Sequence, residues 1–469
     1  MTRAIVIGGG LSGVLAATAL SHHVDQVTVI ESDKYPEQPA PRRGMPQGRQ
    51  NHMLTAGGAA ALDQLLPGTT DLLFAAGAHK LAMGRNILTL SSEGWFRKVD
   101  DDAFFIACSR NLLDHVVRQQ ALTNPVITVL QETKATGLLG TASRVTGIRY
   151  EQGTEPEQTL TADLVVDATG SRSKTPQWLT EIGVPALHEE FLDAGLAYAG
   201  RLYEAPAEAA ADFPGVLIQT VPNTGQPGAG AAFMPQENGR WIVSLIGTAG
   251  GQPPTGEDGF MEFARNVGHP IVAELMARAT PIGEIKGSRG LANRRRYFER
   301  LPLPEGFLAL GDAVTVLSPN YASGMSMAAF GALALRSQLK SHGLEPGLGK
   351  KVQLDIANKV AGPWKSATST DRWFPGVRTN IKLGKGTVEQ KLAVRWSRTA
   401  AEHPGLLKAT YQVATLQTPQ NKVMTLPLMG ALLRGPQQAP LTPAQALAQF
   451  PQLGRLLDSA PADLSKVEH

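Results

Sequence analysis

Three glycines near the N-terminus have the spacing that lets a protein backbone bind a diphosphate. Gly8, Gly10 and Gly13 follow the apolar, β-forming residues 4–7, and Ser12 lies inside the same motif. Gly8 allows a tight turn, Gly10 lets a pyrophosphate approach the backbone, and Gly13 lets a helix pack closely on the strand. The free N–H groups of that helix would then face the negative charge. The pattern predicts a dinucleotide site.

An acidic residue stands where the adenosine ribose of such a dinucleotide would lie. Glu31 closes a second apolar run, residues 27–30, and lies 21 residues beyond Gly10. A carboxylate at this distance would accept hydrogen bonds from the ribose hydroxyls. Because NAD and FAD both bind through this motif, the first segment leaves the choice between them open.

Two distant segments favour FAD. Residues 162–173 form a buried-strand pattern that contains Asp-Ala-Thr-Gly, and residues 306–313 form another that runs through Gly311-Asp312. Together with the N-terminal loop they resemble the fingerprints of the para-hydroxybenzoate hydroxylase-like flavoprotein monooxygenases. The resemblance implies FAD. Gly311 would let the cofactor lie against the strand end, and the Asp312 carboxylate would accept a hydrogen bond from a ribityl hydroxyl.

The chain beyond this strand predicts a helix that points at the flavin. A proline-marked loop, residues 317–323, enters an alanine-rich helix at Gly324-Met325. A helix N-terminus aimed at the pyrimidine edge would stabilise the negative charge of reduced flavin through backbone N–H donors and the helix dipole. We therefore expect Gly324 and Met325 to lie at the cofactor.

Four polar residues are candidates for contacts with the flavin chain, as guanidinium donors to the pyrophosphate or as flavin-contacting groups. They are Arg43, Gln47, Arg49 and Arg110. Solvation at the surface is the alternative for each of them. Arg110 directly follows Ser109, which can cap a helix beginning there. His52 is a weaker candidate, because a lone histidine is more often a structural hydrogen-bonding residue.

A longer stretch narrows the resemblance. Residues 42–54, followed by 65–68, look like the corresponding region of bacterial polyene epoxidases of polyether ionophore biosynthesis, relatives of squalene epoxidase. This resemblance implies a monooxygenase that epoxidises alkenes of a hydrophobic linear polyene or polyketide. Dioxygen would be the co-substrate, and oxygen transfer would proceed through a flavin C4a-hydroperoxide. Since such a transfer needs no obligatory side-chain base, we assign no catalytic residue.

Departures from related patterns bear on the alternatives. Many aromatic hydroxylases of the superfamily carry a histidine soon after Gly-Asp-Ala and an asparagine after the last glycine, where this chain has Val314-Thr315 and Met325. The tryptophan halogenases carry a Trp-x-Trp element that this sequence lacks. Hydroxylation of an aromatic or polyketide substrate remains the first alternative, and flavin-dependent reduction of an isoprenoid double bond is the second. A non-catalytic flavin-binding or carrier-interaction protein is the alternative from another class.

Composition excludes several classes of function. The 469 residues carry a formal charge of +3, too small to imply nucleic acid as a partner. We expect the one strong basic run, residues 294–296, to be a solvated face. Cys108 is the only cysteine, so we expect no disulfide and no metal site, and we expect this residue to be buried. With no leader-like segment and no apolar run of about 18 residues, we expect a cytoplasmic protein without a membrane span.

The order of motifs predicts an α/β protein with a Rossmann-like FAD-binding domain, an inserted, mostly antiparallel β-sheet substrate domain and a helical C-terminal region. The expected parts are residues 1–75, 101–180 and 286–345 for FAD, 76–100 and 181–285 for substrate, and 346–469 for the helical region. Asn238-Gly239 predicts a hairpin within the substrate domain.

The substrate domain would supply an apolar pocket. Its candidate lining residues are Ile218, Phe233, Met234, Ile242 and Leu245, with plain core packing as the alternative. No second glycine fingerprint follows a strand. Electrons would therefore come from NAD(P)H docking transiently or from a separate flavin reductase, and the substrate could be free or held by a carrier protein.

Overall fold

The computed structural model describes residues 1–45, 48, 50–209 and 212–459, so the predictions for Gln47 and Arg49 lie outside the described residues. The strands are, in chain order, β1 (Arg3–Ile7), β2 (Gln26–Ile30), β3 (Met53–Thr55), β4 (His79–Ala82), β5 (Ile87–Ser91), β6 (Gly94–Trp95), β7 (Phe104–Ala107), β8 (Ile127–Leu130), β9 (Thr133–Thr141), β10 (Arg144–Gln152), β11 (Gln158–Thr161), β12 (Leu164–Asp167), β13 (Glu189–Asp193), β14 (Ala197–Glu204), β15 (Gly215–Ile218), β16 (Ala229–Gln236), β17 (Arg240–Gly247), β18 (Thr280–Arg289), β19 (Asn293–Arg296), β20 (Phe307–Ala309), β21 (Thr315–Val316) and β22 (Arg378–Thr379).

The helices are, in the same order, α1 (Leu11–Leu20), α2 (Ala56–Leu65), α3 (Thr69–Ala75), α4 (Met83–Asn86), α5 (Arg110–Ala121), α6 (Thr175–Glu181), α7 (Glu257–Asn266), α8 (Ile271–Met276), α9 (Gly324–His342), α10 (Leu348–Asp371), α11 (Thr387–Ala400), α12 (Pro404–Ala414), α13 (Gln420–Val423), α14 (Leu426–Arg434), α15 (Pro443–Ala448) and α16 (Pro451–Asp458). The mixed α/β architecture with a helical C-terminal region confirms the predicted fold class.

A five-stranded parallel sheet carries the N-terminal motifs. Its strand order is β20-β12-β1-β2-β8. Strands β1, β2, β12 and β20 are almost entirely apolar and buried, as expected of parallel strands covered on both faces. Helix α1 is apolar on every side and buried, because α5 and α9 pack around it.

The strand order explains how motifs separated by three hundred residues meet. Ile7 of β1 pairs with Asp167 of β12, and Asp167 pairs with Ala309 of β20. The three strands run in parallel, so their carboxyl ends lie side by side at one edge. The glycine loop, the Asp-Ala-Thr-Gly turn and the Gly-Asp turn leave the sheet at this edge. Fold topology thus places the predicted cofactor motifs together.

A seven-stranded sheet lies beside this unit, with the order β18-β14-β17-β16-β15-β5-β6. Its pairs are antiparallel except for β15 with β5. The predicted hairpin is confirmed: β16 and β17 pair, and Asn238 and Gly239 have φ angles of 63° and 66°. Such left-handed angles are what an Asn-Gly hairpin turn requires.

Smaller sheets connect the two larger ones. Strand β4 pairs with β7, which also pairs with β3, while β19 joins β13 and β21. The expected limits of the substrate domain, residues 76–100 and 181–285, stay a prediction. Strand β4 joins β3 and β7 in a separate sheet, and β18 extends to Arg289, beyond the expected limit.

The burial of side chains tests two expectations from the sequence, one about residues 294–296 and one about Cys108. The solvated face at residues 294–296 is wrong: Arg295 and Arg296 lie in β19 and are 9% and 6% exposed. Glu299 pairs with Arg295 at 2.9 Å and Glu189 pairs with Arg296 at 2.9 Å, which offsets the cost of burying the two charges. The expectation that Cys108 is buried is confirmed.

The glycine loop depends on a contact that no side chain could enter. A Cβ added at Gly13 would overlap the carbonyl oxygen of Gly8, and it would also touch Val6. Gly8 itself has a φ angle of +98°, and a Cβ there would lie 2.6 Å from the Ala168 carbonyl oxygen. Both positions therefore require glycine.

A Gly13→Val variant should lose its cofactor, because the side chain would push α1 off the loop. We expect little or no flavin to remain bound after purification. Gly362→Val is the matched control, since Gly362 lies in α10 with no heavy atom within 4 Å of an added Cβ. Flavin absorbance per mole of protein is the measurement. Full flavin occupancy in Gly13→Val would show that the loop tolerates the displacement.

Candidate functional site

The three predicted cofactor motifs contact one another. A Cβ added at Gly311 would overlap the hydroxyl of Ser12, and the Leu310 N–H donates to the Asp167 carbonyl at 2.8 Å. Gly10 and Gly324, in contrast, border open space: an added Cβ would meet its nearest neighbour only at 3.9 Å in each case. The glycines predicted to approach the pyrophosphate and the flavin are therefore the ones with room beside them.

Asp167 shapes the turn that closes this edge. Its carboxylate accepts hydrogen bonds from the Thr169 N–H at 2.9 Å and from the hydroxyls of Thr169 and Ser173, both at 2.6 Å. The residue is fully buried. The Asp-Ala-Thr-Gly motif therefore fixes backbone geometry here, and Asp167 has no carboxylate oxygen left over for a ligand.

Glu31 lies beside the loop and holds it. One carboxylate oxygen accepts from the Gly9 N–H at 2.8 Å and from the Arg42 guanidinium at 3.1 Å, and the other accepts from the Asp33 N–H at 2.7 Å. The predicted hydrogen bond to a ribose remains a prediction. In addition, Glu31 positions the glycine loop through a direct bond to its backbone.

Arg42 is a site residue that the sequence reasoning passed over in favour of Arg43. The Arg42 side chain is 6% exposed and pairs with Glu31 at 3.1 Å and with Asp114 at 3.3 Å. Its guanidinium also donates to the Gly9 carbonyl at 3.3 Å. Arg43 is exposed. Nothing in the sequence distinguishes these two adjacent arginines. The path of the folded backbone directs the Arg42 side chain inward and the Arg43 side chain outward.

Asp114 joins this network to α5. Arg118, one turn further along the helix, donates to Asp114 at 2.7 Å, and the Tyr35 ring packs under the guanidinium groups of Arg42 and Arg118. The spacing of Asp114 and Arg118 is that of a helical ion pair. The buried charges of Glu31, Arg42, Asp114 and Arg118 therefore form one network that supports the glycine loop.

Arg110 opens α5 and is buried. The Ser109 hydroxyl accepts from the Leu112 N–H at 3.1 Å, which confirms the predicted cap. Burial lowers the pKa of Arg110, while the carboxylates of Asp114 and Asp312 act in the opposite direction. Burial likewise raises the pKa of Asp312, against the opposing effect of Arg110 and Arg294. Arg110 and Asp312, both predicted from the sequence, therefore each favour the charged form of the other.

His52 lies next to Arg110 and is neutral at ordinary pH. Burial and the Arg110 charge lower the pKa of His52 to about 4. Its Nδ1 lies 2.8 Å from the Gln50 carbonyl oxygen, which can only accept, so Nδ1 carries the proton and Nε2 is an acceptor. A neutral imidazole can accept a hydrogen bond from a ligand but cannot neutralise a phosphate.

Unpaired buried polar atoms show that these residues fit a bound cofactor. Of the fourteen such atoms in the described part of the chain, seven lie on Arg42 (Nε), Gln50 (Oε1), Asn51 (Oδ1), Arg110 (Nε), Asn111 (Oδ1), Tyr198 (Oη) and Ser323 (Oγ). Buried polar groups are almost always hydrogen-bonded, so a cluster without partners marks the place of a polar ligand. These atoms come from the 42–52 segment, the start of α5, the start of α9 and β14, which surround the motif edge.

The N-terminus of α9 completes the arrangement. The helix begins at Gly324, as predicted, and Ser323 at its N-cap makes no capping hydrogen bond with its side chain. Met325 is 9% exposed. The first N–H groups of α9 therefore lack a side-chain acceptor and can donate to a ligand.

A buried carboxylate that the sequence reasoning missed fixes the loop before α9. Asp371, the last residue of α10, accepts hydrogen bonds from Tyr321 Oη and from Asn293 Nδ2, both at 2.6 Å. The Asn293 side chain in turn accepts from the Ser318 N–H at 2.7 Å. Burial raises the pKa of Asp371 to about 6. No local motif could have revealed a partnership that joins residues 50 or more positions apart.

The candidate pocket residues divide between the two faces of the seven-stranded sheet. Ile218, Phe233 and Leu245 belong to the core that α7 and α8 cover. Met234 and Ile242 point the other way, as neighbouring residues of a strand must. They pack with Leu202, Leu217 and Ala322, and Ala322 immediately precedes Ser323 and α9. Ile218, Phe233 and Leu245 are therefore core residues of one cluster, and Met234 and Ile242 lie in a second buried cluster that Ala322 contacts.

Comparison with known proteins identifies the cofactor class. The family model described as FAD binding domain matches residues 1–347. The chain belongs to the FAD binding domain family. This assignment supports FAD as the cofactor of the site built by Gly10, Arg110 and α9. The FAD binding domain unit spans both sheets.

Relatives of this FAD binding domain protein agree on the fold. Protein Rv3254 of Mycobacterium tuberculosis is 30% identical over 353 residues, which cover 72% of this chain and 73% of the relative. A flavoprotein/dehydrogenase from Cytophaga hutchinsonii has a TM-score of 0.64 at 16% identity, with 92% and 98% of the two chains covered. The p-nitrophenol 4-monooxygenase PnpA from Pseudomonas putida has a TM-score of 0.60 at 16% identity, with 93% and 100% covered.

Arg110→Met should weaken FAD binding about 10- to 100-fold, because it removes a charge-assisted hydrogen bond worth about 1.5 to 3 kcal/mol. Arg85→Met is the matched control, since Arg85 is 58% exposed and pairs with Asp100. Titration of the flavin-free protein with FAD, followed by fluorescence, measures both constants. Equal affinities for the two variants would remove Arg110 from the site.

Asp371→Asn should change how stability depends on pH. Because burial raises the folded-state pKa of Asp371 from 3.8 to about 6, the wild type loses stability as pH rises from about 4 to about 6. Relative to Asp371→Asn the loss should be on the order of 3 kcal/mol. Urea unfolding of both FAD-loaded proteins at pH 4, 5, 6 and 7 measures it. Asp102→Asn, at an exposed position, is the control. A gap that stays constant with pH would contradict a buried, charged Asp371.

Proposed function

We propose that the chain is an FAD-dependent monooxygenase that epoxidises alkenes of a hydrophobic linear polyene or polyketide. The observation that supports this proposal is the buried apolar cluster of Met234 and Ile242 on one face of the seven-stranded sheet, against which Ala322, two residues before α9, packs. A polyene offers few polar groups, so its position must come from apolar contact and shape. This face supplies such contact beside the start of α9.

Oxygen transfer requires stabilisation of reduced flavin and exclusion of water, and different residues around the site would serve each requirement. FAD, when bound and reduced, would activate dioxygen, which supplies one oxygen atom to the alkene and leaves the other as water. The N-terminus of α9 would donate N–H groups to the negative charge of the reduced form. Met234 and Ile242, both nearly fully buried, keep water from the reacting centre. No side chain has to take a proton from an alkene, so we assign the chain's residues to binding and orientation.

Polar atoms on the same sheet face would hold a substrate that is already oxygenated. The Tyr198 hydroxyl is buried without a hydrogen-bond partner, and the Ser244 hydroxyl accepts from the Asn51 N–H at 3.2 Å. These groups alternate with the apolar residues of β14 and β17. A polyketide with a carbonyl or hydroxyl group could pair with Tyr198 while its alkenes would lie near the start of α9.

The proposal includes the supply of electrons and substrate. Electrons come from NAD(P)H, either directly or through a separate flavin reductase, and the substrate is either free or held by a carrier protein. Dioxygen is the co-substrate. A hydroxylase of an aromatic or polyketide substrate is the second candidate, and the unpaired Tyr198 hydroxyl favours it because a phenolic substrate would have a partner there.

The test is mass spectrometry of a linear polyene with trisubstituted alkenes after incubation with the purified protein, FAD, a flavin-reducing system and isotopically heavy dioxygen. We expect one heavy oxygen atom per product step, loss of an alkene and no new exchangeable hydrogen. The reducing system without protein is the control. Heavy oxygen in a new hydroxyl would favour the hydroxylase, and a gain of hydrogen without oxygen would identify a reductase and contradict the proposal.

A further inference from the structure

Two C-terminal helices expose apolar side chains that no described residue covers. On α11, Val388 and Leu392 are 71% and 53% exposed, and on α14, Leu426, Met429 and Leu433 are 83%, 46% and 77% exposed. Positions four apart on α11, and three and seven apart on α14, lie on one face of each helix. We refer to these five residues as the C-terminal ridge.

The two halves of the ridge are joined. Arg395 lies one turn beyond Leu392 on α11, and its guanidinium donates to the backbone carbonyls of Leu432, at 2.7 Å, and of Leu433. Below the ridge the two helices pack through Trp396, Leu428 and Ala431. The exposed faces of α11 and α14 therefore belong to one surface. Beneath that surface the two helices share a buried apolar layer.

The segment that carries the ridge is rich in positive charge. Residues 372–434 contain ten lysines and arginines but only two acidic residues, Glu389 and Glu402, so this segment carries +8 while the whole chain carries +3. The rest of the chain is therefore net negative. Five of the basic residues are exposed, with no acidic partner within 4.0 Å among the described residues: Lys382, Lys385, Lys391, Lys422 and Arg434.

We propose that the C-terminal ridge docks on the surface of an anionic lipid bilayer. Exposed leucines in a segment rich in lysine and arginine provide the two signals that interfacial helices combine, apolar insertion and attraction to acidic headgroups. Each basic residue near such a surface adds to the attraction, and salt screens this contribution. In the described part of the chain no helix is long and apolar enough to cross a membrane, so the contact lies on the surface.

Other occupants fit the surface less well. A second copy of this chain would set one +8 segment against another, and this repulsion opposes self-association. A nucleic acid would use the positive charge but would leave Leu426 and Leu433 exposed to water. An acidic bilayer satisfies both the charges and the apolar side chains. The proposal goes beyond the oxidation chemistry and does not depend on which substrate is oxidised.

Co-sedimentation of the FAD-loaded protein with lipid vesicles tests the proposal. We expect binding to vesicles of phosphatidylcholine with about 30% phosphatidylglycerol, weak binding to phosphatidylcholine alone, and loss of binding at high salt. Leu426→Asp and Leu433→Asp should each weaken binding by at least about tenfold. Lys391→Glu should weaken it less. The matched controls are Leu72→Asp and Leu354→Asp, at apolar positions 48% and 45% exposed elsewhere in the chain.

Each other outcome overturns the proposal. Wild-type protein that binds neither vesicle type, or both equally, excludes an anionic bilayer as the occupant. Controls that weaken binding as much as the ridge variants show that the ridge is not the contact. A dimer in light scattering that Leu433→Asp dissociates assigns the ridge to a second copy. Flavin absorbance of each variant shows that it has folded, and the wild-type result decides the proposal without any variant.

Discussion

The close approach of α1 to its preceding strand is the constraint on which the site depends. Gly13 lies so near the Gly8 carbonyl that no side chain could be added, and Gly8 in turn lies against Ala168. These contacts bring the glycine loop to the carboxyl ends of β1, β12 and β20. Once they are made, Ser12 meets Gly311 and the open side of Gly10 faces the cofactor edge. Backbone proximity, more than any single side chain, therefore defines the edge at which we expect the cofactor.

A second layer of buried charge holds this backbone in place. Glu31 bonds the Gly9 N–H, and Arg42 links Glu31 to Asp114 on α5. Breaking one partner of such a group would leave an uncompensated buried charge, at a cost of about 3 to 5 kcal/mol. On the opposite side Asp371 fixes the loop before α9. Two buried carboxylate networks thus support this edge, one within residues 9–118 and one within residues 293–371.

Local patterns sufficed to predict the fold class, the glycine loop, the Asn238-Gly239 hairpin and the start of α9. Neighbouring residues determine these features, because a turn or a helix cap is a local structure. The sequence could not show that Arg42 is buried and Arg43 exposed, that Arg296 lies in a strand, or that Ile218 and Ile242 face opposite ways. Those outcomes depend on register and on contacts between distant segments. Asp371 is the clearest case, since its partners Asn293 and Tyr321 lie in separate elements.

We propose that oxygen activated at this site is transferred to an alkene of a bound polyene. The most direct test is the stoichiometry of turnover with a linear polyene: dioxygen consumed, alkene lost and hydrogen peroxide released, measured together on the FAD-loaded protein. Our account predicts that alkene loss matches dioxygen consumption and that little peroxide appears. If the polyene is left intact and all the dioxygen is recovered as peroxide, the claim is contradicted.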